Sequence, residues 1–295
     1  MNHSFAVKPK ESDLAKTRAE LLDALVNGDQ VQAMRLVDSA ITSRWEPSFV
    51  YVYVVGHCLA EVGSLWHAGE LSIAVEHRAT QIALRLLARA QSAYVNGKKI
   101  GKRALITSVQ GDNHIIGGLT FADLLRIDGW EVDFLGADSP IETVVEMVEK
   151  EAPDLVGLSV TIEEFVPNAA TTVREIKKLQ EPPIVIVGGA VANDPSLESS
   201  DFKSVNALEA VEWTRRHFNM DESSRPLEVM LSELGERIQS LRKDRGLSQQ
   251  ALASEAGLDR SYISAVEHGR QNVSFATLKG IADALKIGVV DLISG

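Results

Sequence analysis

A single cysteine, Cys58, stands in the 295-residue chain, which excludes an internal disulfide and any cysteine-rich zinc module. That scarcity fits a reducing, bacterial-type cytoplasm. No basic segment followed by an apolar run opens the chain, so no secretory signal is read. Uninterrupted apolar stretches such as 184–192 stay under ten residues, so no membrane span is expected. Positive charge is short as well: 30 Lys and Arg against 41 Asp and Glu leave a net charge of −11. Such a chain does not coat nucleic acid non-specifically, although uneven placement of charge leaves room for a local DNA-reading face. Internal repeats and low-complexity tracts are also lacking. What is present is enough apolar residue, 45% against 24% charged, to bury a sizeable core. The length is roughly two domains at ~150 residues each.

The pattern along the chain divides it into several domains. Residues 1–10 read as a flexible tail. From Ser12 to about Asn96 the apolar period is helical, with breaks at Asn27-Gly28, Glu46-Pro47 and Ala68-Gly69. Helices near 12–28, 30–44, 47–67 and 70–95 are expected, making a four-helix bundle over 11–97. On the last of them Val75, Ala79, Ile82, Leu86 and Ala90 form one stripe. After Asn96-Gly97-Lys98-Lys99 the texture changes. Strand-like runs at Ala104–Val109, Val132–Gly136, Leu155–Val160 and Ile184–Val187, with a weak fifth near Lys203–Asn206, alternate with helical segments near 115–128, 140–151, 164–180 and 207–218. The alternation predicts right-handed βαβ units and a flavodoxin-like parallel sheet with helices on both faces, over 98–218. Ligands on such sheets gather at the carboxyl ends of the strands. Asn219–Pro226 is polar and turn-rich, and 219–230 reads as a linker. Over 231–295 strand signals vanish and an all-α module of five short helices is expected.

Residues 248–267 read SQQALASEAGLDRSYISAVE. Ser248 and Asp259 suit the caps of two short helices. Gly257 suits the positive φ of a turn between them, and small Ala253 a close helix crossing. Ile263 and Val266 fall one turn apart on the buried side of the second helix. These are the constraints of a helix-turn-helix. They leave Arg260, Ser261 and Ser264 on the outer face, within reach of base edges. Through IQSLRKDRGLSQQALASEAGL, YISAVEHGR and LKGIADALKI, residues 234–294 resemble the XRE/Cro/phage-repressor class of helix-turn-helix domains. The resemblance implies that Gln249 grips phosphate and that Arg260, Ser261 and Ser264 read bases, with Ala265 as an apolar contact. It also implies a pairing of Arg242 with Glu267. Eight acidic and eight basic residues over 231–295 make the module electrically neutral. The motif rather than the charge therefore carries the expectation of binding double-stranded DNA.

The first strand ends in Gln110-Gly111-Asp112-Asn113-His114-Ile115-Ile116-Gly117-Gly118. An aspartate two residues before a histidine can accept one ring N–H, which fixes the tautomer and frees the other nitrogen as a metal ligand. The glycines let a bulky group approach the start of the next helix. Ser159 and Thr161 stand at the end of the third strand and Gly188-Gly189 at the end of the fourth. Hydroxyls and bare backbone there line a slot between sheet and helices. A flavodoxin-like domain with His114 in a plain turn is the alternative. These residues resemble the cobalamin-binding domain of methionine synthase, corrinoid methyl-transfer proteins and cobalamin-dependent mutases. Asp112, His114 and Gly117 meet its D-x-H-x-x-G signature, Ser159-Val160-Thr161 meets S-x-L in part, and Gly188-Gly189 supplies a double glycine. The resemblance implies cobalamin held by Asp112, Asn113, His114, Ile115, Gly117, Ser159, Thr161, Gly188 and Gly189. His114 would be the lower cobalt ligand, in place of the cofactor's own nucleotide base.

A bundle ahead of such a domain would cap the upper cobalt face. Its last hairpin reads LWHAGELSIAVEH over 65–77. From the residues alone, Trp66 serves equally as core filler, Glu76 and His77 as solvated positions, and His67 as a helix-end cation. The spacing W-x9-E-H resembles the adenosylcobalamin photoreceptors of the CarH/LitR type, matched by Trp66, Glu76 and His77 and by His67 directly after the tryptophan. That resemblance implies adenosylcobalamin, contacted from above by Trp66, Ile73, Glu76 and His77. It implies a cobalt–carbon bond broken by light, with His67 as the upper cobalt ligand afterwards. His57 matches nothing in that family, and a zinc site from His57, His67 and His77 lacks recognisable ligand spacing. Domain order departs from the family, whose DNA-binding domain is usually N-terminal and of the MerR type.

The expectation is an adenosylcobalamin-dependent, light-responsive transcription regulator. It would be cytoplasmic, a homo-oligomer (dimer or tetramer) on a double-stranded DNA operator, and not an enzyme, with no catalytic residue assigned. A light-independent cobalamin sensor and a corrinoid methyl carrier with an attached DNA-binding domain are the alternatives.

Overall fold

The computed structural model describes residues 6–94, 99–220 and 227–293. The chain divides into two compact units, one ending at Thr214 and the other starting at Arg215. The first unit opens with a helical cap: α1 (Glu11–Asn27), α2 (Gln30–Thr42), α3 (His57–His67) and α4 (Ile73–Tyr94). Gly28 stops α1 at φ 77, and the Asp29 side chain caps α2 by accepting the Gln32 N–H at 2.9 Å.

Two expectations for this region change. Part of the stretch read as a flexible tail is pinned: the Val7 N–H donates to Arg44 O at 2.7 Å and the Glu46 N–H to Val7 O at 3.1 Å, a parallel bridge to Trp45. Residues 1–5 lie outside the described residues. The third helix, moreover, is not α throughout. Phe49–Gly56, the apolar FVYVYVVG, is a π-helix that runs directly into α3. Joined, Phe49–His67 make 19 helical residues of mean hydropathy 1.3, long and apolar enough by length and composition to cross a membrane. Counting uninterrupted apolar runs missed this because His57 and Glu61 break the run. Val50, Tyr51, Val54, Val55, Cys58 and Val62 of this segment are buried in the bundle. It therefore serves as the central helix of the cap, packed by α1 and α4. Burial pushes the Cys58 thiol up to about 12, which keeps it an uncharged core group.

Five strands follow: β1 (Arg103–Val109), β2 (Glu131–Ser139), β3 (Leu155–Ser159), β4 (Ile184–Gly188) and β5 (Phe202–Ser204). All pair in parallel, in the order β2-β1-β3-β4-β5. The weak fifth strand forms three residues long, and it ends at Ser204 because the Asn206 N–H turns back onto Ser204 Oγ at 2.9 Å. Helices α5 (Ile116–Ile127), α6 (Ile141–Glu151), α7 (Val166–Lys177) and α8 (Ala207–His217) alternate with the strands. Side chains alternate across the sheet as the strand period requires. Leu105, Val156, Leu158, Val185 and Val187 pack with Val144, Val148, Val173 and Ile176 of α6 and α7. On the opposite side Gly157 leaves room for Ile106 and for Phe121 of α5, whose atoms lie 2.6 and 3.1 Å from where a Cβ would stand. The chain reverses direction across the sheet between β1 and β3, and a sheet of this order opens a crevice beyond those two strand ends.

Helix α5 joins the cap to the sheet. Its Asp123, 1% exposed, accepts from Gln91 Nε2 of α4 at 2.7 Å and from Arg126 Nη1 at 2.8 Å. Tyr51 of the π-helix shares its hydroxyl proton between Asp123 Oδ2 and Leu87 O, both at 3.3 Å. Burial pushes the Asp123 carboxyl up, against the pull of Arg126, and burial likewise pushes the Tyr51 phenol up.

The second unit is all helical among the described residues: α9 (Leu227–Asp244), α10 (Gln249–Ala256), α11 (Arg260–Glu267), α12 (Phe275–Ala284) and α13 (Val289–Ile293). Part of the expected linker, 221–226, lies outside the described residues, but α9 already begins at Leu227, inside the 219–230 stretch. At 18 residues α9 is not one of the short helices expected. Ile238, Leu252, Ala253, Ile263, Val266, Ile281 and Leu285 form the core of this unit. Gly235 lets α9 cross α11, since a Cβ there would sit 2.3 Å from Val266 O.

Replacing Asp123 by Ala leaves a half-buried guanidinium and a half-buried amide without their shared acceptor. Urea denaturation of the full chain, followed by tryptophan fluorescence, is expected to register a loss of about 3 kcal/mol.

Candidate functional site

The β1–α5 loop carries the first group of side chains, at the crevice. Register places Ser108, Ser159, Gly188 and Ser204 in one row across the carboxyl edge of β1, β3, β4 and β5. Just beyond, Asp112 is fully buried, with both oxygens engaged. Oδ1 accepts the His114 backbone N–H at 2.9 Å and the His114 Nδ1–H at 2.8 Å. Oδ2 accepts the Thr161 backbone N–H at 2.5 Å. A carboxylate acceptor puts the ring proton on Nδ1, so His114 Nε2 carries the free lone pair. The His114 side chain is 56% exposed, and its carbonyl is held by Ser108 Oγ at 2.9 Å.

Glycines shape the walls. Above Ser159, a Cβ on Gly117 would meet only the Ser159 hydroxyl, at 3.9 Å, and one on Gly118 would meet Phe134, Ser159 and Ile106. Gly189 has φ 109, and a Cβ there would lie 2.1 Å from Val160 O, so the chain just after β4 runs hard against the backbone just after β3. Gly188 continues the row and faces Ser204 O. Thr161 contributes its backbone amide to Asp112, whereas Asn113 is exposed and Ile115 half-buried beside the loop.

Two further partners of the loop, Asp138 and Asn168, were not singled out from sequence. Asp138 Oδ1 accepts the Gly111 N–H at 2.7 Å, and the Asp138 N–H donates to Asp112 O at 3.1 Å. Asn168 Nδ2 of α7 donates to Gln110 O at 2.8 Å. No motif marks these positions. The one hint is their placement, Asp138 at the carboxyl end of β2 and Asn168 in the first turn of the helix after β3.

The cap hairpin carries the second group. Trp66 and His67 end α3, and Ile73, Glu76 and His77 open α4. The two rings of Trp66 and His67 meet edge to face at 4.6 Å. His67 Nδ1–H donates to Gly63 O at 3.0 Å, which leaves Nε2 free, as in His114. Glu76 Oε1 accepts from Thr80 Oγ1 at 2.8 Å, and its other oxygen lies 3.6 Å from His77 Nε2. Trp66 is 38% and Ile73 53% exposed. Trp66 is therefore not core filler. Among the described residues no hydrogen bond, ion pair or ring contact joins the hairpin to His114. No group of three metal-ligating side chains forms among them either. His57 lies 3.6 Å from Glu61 of its own helix, and no zinc site forms with His67 and His77.

The third group lies on the C-terminal unit. Gly257 turns between α10 and α11 at φ 67, and Ser248 Oγ caps α10 by accepting the Ala251 N–H at 3.0 Å. Asp259 holds the extended N-cap backbone of α11, but its side chain makes no capping bond. Gln249, Arg260, Ser261 and Ser264 line one concavity of about 250 Å³, while Ala265 is half-buried and outside that lining. Arg242 Nε and Nη2 donate to Glu267 Oε1 and Oε2 at 2.5 and 3.0 Å. Gln249 Nε2 also donates to Glu267 Oε2, at 2.9 Å, so this amide is engaged within the unit rather than fully open to a phosphate.

Comparison with known proteins follows this division. A family model described as B12 binding domain matches residues 102–207, a second model of that description matches 17–91, and a helix-turn-helix model matches 238–292. The dimethylamine corrinoid protein of Methanosarcina barkeri is 26% identical over 198 residues, 65% of this chain and 92% of that protein. The HTH-type transcriptional repressor CarA of Myxococcus xanthus is 30% identical over 124 residues, 42% of this chain and 43% of that protein. The structure of the Methanosarcina barkeri monomethylamine corrinoid protein shares the fold, with a TM-score of 0.58 at 22% identity, over 68% of this chain and 97% of that one. The chain thus combines B12-binding domains with a C-terminal helix-turn-helix DNA-binding domain. That is the composition of a cobalamin-binding transcription regulator. The donor set fits a corrinoid: one imidazole with a fixed tautomer and an open nitrogen, beside glycines that leave room over Ser159.

Burial pushes the Glu267 carboxyl up, but Arg242 and Gln249 more than offset it, so it lies below the usual carboxylate range. A depressed folded value stabilises above the unfolded value and loses that contribution as pH falls through the folded one. Thermal melts of the full chain are therefore expected to show the helix-turn-helix transition falling below about pH 4.5, with a flatter profile in Glu267→Gln. Arg242→Ala strands the buried Glu267 and is expected to cost about 3 kcal/mol at neutral pH.

Proposed function

We propose that this protein is an adenosylcobalamin-dependent, light-responsive transcription regulator. The observation that carries the reading is the buried Asp112 bound to His114 Nδ1, at the crevice between β1 and β3, in a chain that also bears a helix-turn-helix. When bound, the cofactor supplies a cobalt–carbon bond that visible light cleaves. His114 Nε2 would hold the cobalt, while Asp112 keeps the proton on Nδ1 and fixes the ring. Asn113, Ile115, Gly117, Ser159, Thr161, Gly188 and Gly189 line the approach from the sheet side. On the cap side Trp66 and Ile73 present exposed apolar surface that excludes water once covered. Glu76 and His77 bring a carboxylate and an imidazole to hold the adenosyl group. His67, with Nδ1–H tied to Gly63 O, would offer a second nitrogen, Nε2, to hold cobalt.

Only a contact that differs between two states can drive a switch. The cap hairpin supplies such contacts, and any displacement of the cap works against the bonds from Tyr51 and Gln91 to Asp123. The output is a change in assembly, and so in the spacing of paired helix-turn-helix heads on a two-fold operator. Arg260, Ser261 and Ser264 read bases there, with Ala265 beside them, and Gln249 contacts phosphate. The protein acts in the cytoplasm as a dimer or tetramer and catalyses no reaction. Similarity to a dimethylamine corrinoid protein supports a second reading, a corrinoid carrier with an attached DNA-binding domain. Trp66 weighs against it, because a carrier needs an accessible upper face.

Visible spectra and gel filtration of protein loaded with adenosylcobalamin, kept dark or lit green, test the reading. Both are expected to change on illumination. Uptake with a dark-stable spectrum and assembly that light leaves unaltered would instead identify a light-independent cobalamin sensor. On operator DNA selected for binding, Arg260→Ala is expected to cost about 1–3 kcal/mol and to relax specificity at one base position.

A further inference from the structure

Asp138, near the end of β2, has φ 50, a left-handed backbone that non-glycine residues rarely adopt. Such strain persists where the surroundings over-determine it, and it points to a role. Here it turns two groups of one residue onto the His114 loop: the carboxylate onto the Gly111 N–H, and the backbone N–H onto Asp112 O. Gly111 has no slack to offset a change. It has φ 92, and the Phe165 ring lies 2.4 Å from where its Cβ would stand. Asp138 is exposed, and among the described residues its carboxylate accepts from the Gly111 N–H alone.

We propose that Asp138 is a positioning residue for the lower cobalt ligand. By clamping Gly111 and Asp112 from β2, it holds the Asp112 carboxylate where His114 Nδ1–H meets it. Its hydrogen bonds go to Gly111 and Asp112, and among the described residues none goes to His114. The inference rests on the reading of His114 as a cobalt ligand. Two variants separate positioning from mere turn formation. Asp138→Gly accepts the positive φ more readily but lacks the carboxylate. Asp138→Asn keeps an acceptor oxygen and tolerates the same backbone.

The full-length protein free of corrinoid is examined first, at a pH where the His114 ring is neutral. Nitrogen-15 NMR of that ring is expected to give one tautomer, protonated on Nδ1, in the unaltered protein and in Asp138→Asn, and a mixture in Asp138→Gly. Hydroxocobalamin titration is then expected to show about tenfold weaker uptake and a smaller histidine-coordinated fraction in Asp138→Gly alone. The unfolding midpoint of that variant stays level or rises. A single tautomer and unaltered uptake in Asp138→Gly would overturn the proposal. So would losses that come with a lowered unfolding midpoint, which mark a structural role only. If the unaltered protein takes up no corrinoid, the proposed function fails, while the tautomer comparison still decides on Asp138.

Discussion

The Asp112 carboxylate is the constraint from which the site is built. It is fully buried, and three N–H groups from two neighbouring loops converge on it. A buried carboxylate without such partners is costly, so the fold must bring the end of β3 to the end of β1 for the loop to exist at all. One bond in the set decides which imidazole nitrogen is open. Another ties that carboxylate to the Thr161 backbone N–H across the point where the sheet reverses its winding. The helix that starts two residues after His114 then carries Asp123 under the cap. One element thus runs from the His114 loop to the groups that dock the bundle.

Much of this was legible in the residues because it rests on local chemistry. D-x-H is a bond between neighbours in the chain, and its partners need no tertiary knowledge. The parallel sheet follows from short β-branched runs spaced by helices, and the helix-turn-helix from Gly257, Ala253, Ile263 and Val266. The illegible parts depend on distant groups or on backbone detail. Nothing in DLLRI marks Asp123 as a buried acceptor for Tyr51 and Gln91, 72 and 32 residues away. The left-handed backbone of Asp138 arises from its neighbours, since aspartate does not impose it. Gln249 was assigned to phosphate from resemblance, whereas Glu267, 18 residues on, engages its amide within the unit. Asp259 sits at the right backbone position for a cap and withholds its side chain.

Two histidines share one device by different means. His114 has its Nδ1–H held by the carboxylate two residues before it, and His67 by the carbonyl one helical turn behind it. The carboxylate makes its ring nitrogen a stronger donor to a metal, because negative charge raises ligand basicity. The carbonyl orients without that gain.

The π-helical segment Phe49–Gly56 has an angular consequence. Its carbonyls bond one residue further along than in an α-helix, so it holds a residue more than the α repeat would. Each residue of an α-helix advances the azimuth by about 100°. Shortening the segment by one would restore the regular repeat and swing α3 by that angle. The compass heading of the Trp66 indole is thus fixed ten residues upstream, by a phase offset held in place by Tyr51.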